Sequence, residues 1–255
     1  GDDYELKYAH WDGTWHPEVV DRIGGPADPT SVALDPDDDA HICYFDGSGN
    51  DLLYATWGGS QWITDTVDSA ISSGAGCSLA LDDDAYPHIS YQAGGRHKYA
   101  QWDGALWIRE TVESGTLAER GTSLALDDAG RPHISYHDAW VFDLKYARWD
   151  GSEWDLKTVD GQPTGTIGHY SSLDLDPSGN PQILYMHKTD DVVKYASWDG
   201  SQWSLEIVAN ARNFGTALVV DDDGSPHIAY CGASYDLIYA TRPAWHEVFL
   251  PLVVR

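Results

Sequence analysis

The chain has 255 residues and carries 15 Lys and Arg against 41 Asp and Glu, a formal net charge of −26. That field repels nucleic acid and anionic lipid, and no basic cluster interrupts it, so DNA and RNA binding are excluded. A hydrophobic fraction of 42% with 12 Trp and 15 Tyr supplies a sizeable core and excludes disorder, while no apolar run approaches the roughly 18 residues of a membrane-spanning helix.

The N-terminus, Gly1-Asp2-Asp3-Tyr4, carries no signal-peptide pattern, as expected of a mature or trimmed chain. Residues 5–20, ELKYAHWDGTWHPEVV, form the first predicted element, a hairpin turning at Asp12-Gly13. Five longer repeats follow at 31–68, 78–113, 123–160, 172–209 and 217–251. Each opens with a string such as SLALDDAGRPHISYHD (123–138), whose apolar and small residues alternate as in a half-buried strand. An Asp-, Gly- and Pro-containing turn leads into a second, β-rich strand with Pro at its first residue. Each repeat closes with a string such as DLKYARWDGSEWDLKTVD (143–160), two strands around another tight turn. Ten of the 12 Trp lie in the hairpin at 5–20 and the closing strings of the first four repeats, so most aromatic content is architecture. The aligned residues His41, His88, His133, Gln182 and His227 are 47, 45, 49 and 45 residues apart. Four short antiparallel strands per repeat, without a capped helical period, predict an all-β chain and the blades of a β-propeller. Five repeats predict five blades in a single domain spanning 1–255, with the hairpin at 5–20 as a surplus.

The paired strings GxPHISY and LKYAxWDGxxW resemble a repeat family of secreted bacterial β-propeller proteins, loosely similar to sialidase-type propellers with BNR-like repeats. The tail HEVFLPLVVR resembles the C-terminal ends of exported proteins of filamentous, often thermophilic bacteria. Both resemblances imply an extracellular or cell-surface location on a bacterium.

The histidine that recurs after Pro or Ala is expected to be an interior hydrogen-bonding group, because Gln182 replaces it in the fourth repeat and cannot act as a base. The acidic turns 36–40, 82–85, 127–130 and 221–224 invite calcium but lack the spaced oxygen-ligand signature, so their aspartates are expected to cap the turns. No cofactor and no metal site is assigned. Three cysteines, Cys43, Cys77 and Cys231, fit either one disulfide with a free thiol or three buried thiols.

The tight turns share one end of the strands, so the longer, divergent loops share the other. Variable loops on a rigid scaffold are the default binding face. The candidate ligand-binding residues there are Trp140, Phe142, His137, Asp138, His169, Tyr170, His187, Arg120 and Arg212. Trp140 is singled out because it lies outside the hairpin strings, in a loop beside Phe142, where an aromatic either stacks on a sugar face or plugs a neighbouring blade. Arg22, Arg120 and Arg212 could meet on a carboxylate, but no carboxyl pair is marked as acid and base. No nucleophile, phosphate-loop or dinucleotide motif is present, so no catalytic residue is assigned. The expected function is a non-catalytic recognition module, lectin-like and binding a glycan or other surface ligand. The alternatives are a self-assembling surface protein using residues 5–20 or 236–255, and a glycosidase or lyase acting on polysaccharide.

Overall fold

The computed structural model describes residues 4–25, 30–47, 49–69, 76–115, 121–161, 165–241 and 246–249. The chain divides into two compact units, Gly1–Ser114 and Gly115–Arg255.

In the first unit, β1 (Tyr4–Trp11) and β2 (Trp15–Ile23) form a two-stranded sheet. Strands β3 (Ser31–Leu34), β4 (Ala40–Asp46), β5 (Asp51–Trp57) and β6 (Trp62–Asp68) pair in chain order into a second sheet. A third follows in the same order from β7 (Cys77–Leu81), β8 (Pro87–Ala93), β9 (Arg96–Trp102) and β10 (Trp107–Ser114).

The second unit begins with β11 (Thr122–Leu126), β12 (Pro132–Asp138), β13 (Asp143–Trp149) and β14 (Trp154–Asp160). Next come β15 (Ile167–Leu175), β16 (Pro181–His187), β17 (Val192–Trp198) and β18 (Trp203–Val220). The last strands are β19 (Pro226–Gly232), β20 (Leu237–Thr241) and β21 (His246–Phe249). Strand β18 serves two repeats, pairing with β17 and then with β19 across a register shift between Ala211 and Thr216. Segment 210–215, between the fourth and fifth repeats, is therefore continuous strand.

The five-blade plan is corrected by the first sheet. The N-terminal hairpin packs Leu6, Val20 and Ile23 on Ile42, Tyr44 and Ala55 of the second sheet. Tyr8 meets Trp62 edge to face, with ring centroids 5.4 Å apart. Tyr54 with Trp107 and Tyr146 with Trp203 repeat that contact at the same distance between later sheets. The hairpin thus holds the outer half of a sixth repeat position.

The second strand of each full repeat is its most buried, and in β8, β12 and β16 every residue is buried. Such a strand pairs on both edges and is covered on both faces, so its polar residues need internal partners. The repeats supply them on one plan, except that His133 Nε2 stays 3.7 Å from its carboxylate, beyond hydrogen-bond distance. The first Asp of each tight turn, Asp35, Asp82, Asp127, Asp176 or Asp221, accepts two backbone N–H bonds through Oδ1. Its Oδ2 faces His Nε2, at 3.3 Å for His88 and 2.9 Å for His227. His Nδ1 faces a tyrosine hydroxyl, Tyr146 in the case of His133 (2.6 Å). Gln182 keeps the polarity: its Nε2 donates to Asp176 (3.5 Å) and its Oε1 accepts from Tyr195. The recurrent histidine therefore works as a hydrogen-bonding bridge, which an amide can imitate.

A second repeated device ties adjacent sheets. Tyr44, Tyr91 and Tyr185 donate to Asp21, Asp68 and Asp160 at the end of the preceding sheet, at 2.7, 2.8 and 2.7 Å. Lys98 and Lys194 pair with the latter two carboxylates. Burial alone would raise Asp68, yet Lys98 and Tyr91 hold it below the usual carboxylate value. Cys43 and Cys77 form a disulfide between the second and third sheets, leaving Cys231 as a free thiol. At the equivalent positions of the second unit, Ser135 donates a 3.0 Å hydrogen bond to Ser171.

Candidate functional site

The loop-end residues of the second unit are only partly available to a ligand. His137 is buried, and its Nδ1 donates to the Ile167 carbonyl at 2.6 Å. Its ring meets that of buried His169 edge to face, centroids 4.5 Å apart. Asp138 is buried, pairs with Lys145 at 3.1 Å and accepts the Trp140 backbone N–H. His187 is buried, and its Nδ1 accepts the Asp190 N–H at 3.3 Å. Tyr170 is half-buried, with φ of 51°, and its carbonyl accepts from Thr216. Trp140 and Phe142 are the exposed members, at 71% and 47%. Arg120 and the tail beyond residue 249 lie outside the described residues, as does the side chain of Arg212 in β18. In the first unit, Arg22 sits 3.5 Å from Glu5.

A concavity of about 420 Å³ lies at the tight-turn end, in the seam between the second and third sheets. Tyr54 and Thr56 of β5 and Ile63, Thr64 and Asp65 of β6 form one wall. Ala85, Tyr86 and Pro87 at the entry to β8, with Trp102 and Trp107 flanking the β9–β10 turn, form the other. Trp107 is buried and donates Nε1–H to Asp65 Oδ2 at 2.9 Å. Asp65 also accepts the Thr66 N–H, and a carboxylate has about four acceptor positions, so capacity remains for ligand hydroxyls. Burial pushes the Tyr54 hydroxyl up to about 12, so it stays a neutral hydrogen-bonding group. Two indoles and two phenols around a carboxylate and two threonine hydroxyls make an apolar floor with a few convergent polar groups. That is the composition of a small-molecule pocket.

The second unit carries the same seam with different chemistry. Tyr146, Arg148, Asp155 and Lys157 face Asn180, Pro181, Trp198 and Trp203 around about 180 Å³. Lys157 takes the place of Asp65. Its ammonium pairs with Asp155 at 3.1 Å and lies 5.9 Å from the centroid of Trp198, narrowing the cleft. Since a lysine only donates, the Trp203 indole loses the acceptor that Trp107 finds in Asp65. Trp203 Nε1 and Arg148 Nε are buried without a hydrogen-bond partner among the described residues.

These residues were hidden in the sequence because the seam tryptophans belong to the repeat and read as scaffold. The available signal was the variation at Thr56/Arg148 and Asp65/Lys157 inside a constant Tyr–Trp–Trp frame.

No protein-family model and no curated protein sequence matches the chain. Solved structures do. The BP39L lectin from Burkholderia pseudomallei is 12% identical, with a TM-score of 0.73 covering 100% of this chain and 79% of that one. A fungal lectin from Aleuria aurantia, with a six-bladed β-propeller fold and a fucose recognition mode, is 15% identical at a TM-score of 0.64, covering 98% and 89%. A protein of unknown function from Dyadobacter fermentans is 12% identical at 0.63, covering 88% and 82%. At these identities the likeness establishes the fold, and the chain has the β-propeller fold. The six-bladed relative also overturns the expectation of five blades, in agreement with the six repeat positions above.

Proposed function

We propose that the chain is a carbohydrate-binding β-propeller that takes a sugar unit of a glycan in the seam between the second and third sheets. The carrying observation is the pocket of about 420 Å³ in which Trp102, Trp107 and Tyr86 surround Asp65. Indole and phenol faces take the C–H face of a pyranose, and the carboxylate accepts its hydroxyls. The lectins that share the fold, including those described as fucose-binding, support this reading, and fucosylated glycans are the first probes. The binding is non-catalytic, since the pocket offers a single carboxylate where hydrolysis of a glycoside uses a pair. The Cys43–Cys77 disulfide supports an extracellular location, where such bonds persist. Titration of the native protein with fucosylated and other glycans tests the proposal. Saturable binding lost in Trp102→Ala supports it, and a broad glycan panel without binding overturns it.

One observation favours self-association as a second role. Val32 and Leu34 of β3 are exposed at 57% and 53%, whereas Leu79, Leu124, Leu173 and Leu218, the counterparts of Val32, are buried. Among the described residues, the two-stranded first sheet has no inner strands to cover them.

A further inference from the structure

The outer turns of the later repeats share one design. Asp103, Asp150 and Asp199 each use Oδ1 to accept the backbone N–H groups two and three residues on. The turn of the N-terminal hairpin, Asp12-Gly13-Thr14, is one residue shorter. Asp12 Oδ1 accepts the Thr14 N–H at 3.2 Å, and in place of the second backbone group it meets His16 Nε2 at 2.8 Å. His16 is the direct cross-strand partner of His10. Their rings stack with centroids 5.1 Å apart and planes 20° from parallel. The repeat-equivalent cross-strand pairs are Thr56 with Ile63, Gln101 with Ile108, Arg148 with Asp155, Ser197 with Ser204 and Thr241 with His246, so the imidazole pair belongs to this hairpin alone.

We propose that His10, Asp12 and His16 form a binding site for a divalent late transition metal, with zinc as the expected ion. One ligand atom from each residue lies within 4.8 Å of the others, and all three side chains are exposed. Zinc takes imidazole nitrogen and carboxylate oxygen at about 2.0–2.2 Å, so small side-chain rotations would bring the three donors onto one ion. The backbone need not move, because the strand pairing already sets the two imidazoles side by side. The ion would replace the His16–Asp12 hydrogen bond, and Thr14 Oγ1, 2.9 Å from His16 Nε2, stands beside the remaining open positions. Two nitrogen donors select against calcium and magnesium, which prefer oxygen cages. The net charge of −26 raises the local concentration of any cation. The proposal is independent of the sugar pocket.

Isothermal titration of the full chain with Zn²⁺, repeated with Ca²⁺, tests it. The expected result is one zinc equivalent bound with calcium ineffective. His10→Ala and His16→Ala should each weaken binding by at least about tenfold, since even residues outside the ligand shell cost that much. Because residual histidines elsewhere could bind weakly, the ring-proton resonances of His10 and His16 in the native protein give a second readout and should shift at one equivalent. Absence of zinc binding, affinity unchanged in the His10→Ala/His16→Ala double variant, or unmoved His10 and His16 resonances would overturn the site.

Discussion

Tyr54 and Trp107 meet edge to face with ring centroids 5.4 Å apart, joining two consecutive sheets at the floor of the seam pocket. The same pair recurs as Tyr146 with Trp203, so the seam is a constant frame whose lining changes from repeat to repeat. Thr56 becomes Arg148 and Asp65 becomes Lys157, turning an open apolar cleft into a narrower charged one.

Trp102 is therefore the side chain to remove. Trp102→Ala should weaken glycan binding roughly two- to tenfold, the equivalent of about 0.5–1.5 kcal/mol of aromatic contact. Trp140→Ala, in the β12–β13 loop of the second unit, should leave that affinity unchanged. Calorimetric titration of both variants against one glycan separates the two positions.

Asp65→Lys imports the substitution that the second seam already carries. The new ammonium should cover Trp102 as Lys157 covers Trp198, and leave Trp107 Nε1 without its acceptor. Binding should fall more steeply than in Trp102→Ala, accompanied by a stability loss of about 1–3 kcal/mol for the orphaned indole donor. Denaturant unfolding and glycan titration on one preparation measure both.

The disulfide closes a loop with a sequence separation of 34 residues, which in the chain-entropy account is worth about 4 kcal/mol. Cys43→Ser/Cys77→Ser recreates the residue pair found at Ser135 and Ser171, so a hydrogen bond should recover part of that loss. A net destabilisation of about 2–4 kcal/mol is expected from urea unfolding with two-state behaviour retained.

Acid should destabilise the fold through its buried histidines. Burial holds His133 at about 4 and His97 at about 3. Unfolded histidine titrates near about 6.5, so below that value the unfolded chain binds protons that the folded chain refuses. The stabilising contribution is complete above about pH 6.5 and is lost as pH falls toward the folded values. His133→Gln, which copies Gln182, should flatten the slope of melting temperature between about pH 7 and 5 without preventing folding.

Much of the architecture was legible in the sequence because each strand is short, alternating and bounded by turn residues. The strand beginning at Pro132 and the hairpin around Asp150-Gly151 stand where those signals placed them. Five blades result from counting the hairpin at 5–20 as a surplus, although its Tyr8 and Trp11 match the repeat and it fills a sixth position. Segment 210–215 gives no strand signal in the sequence, since the register shift that carries one strand from repeat to repeat breaks its alternation. The seam pocket was illegible for a different reason. Its walls come from successive repeats, and only pairing the outer strands of one sheet with the turns of the next brings Asp65 beside Trp107.

The central claim is that sugar enters this seam, and the indole N–H resonances of Trp102 and Trp140 report it most directly. In a two-dimensional NMR titration of the native protein with a fucosylated glycan, the account predicts saturable shifts at Trp102 with Trp140 unmoved. Shifts confined to Trp140, or binding that leaves the Trp102 resonance in place, would contradict it.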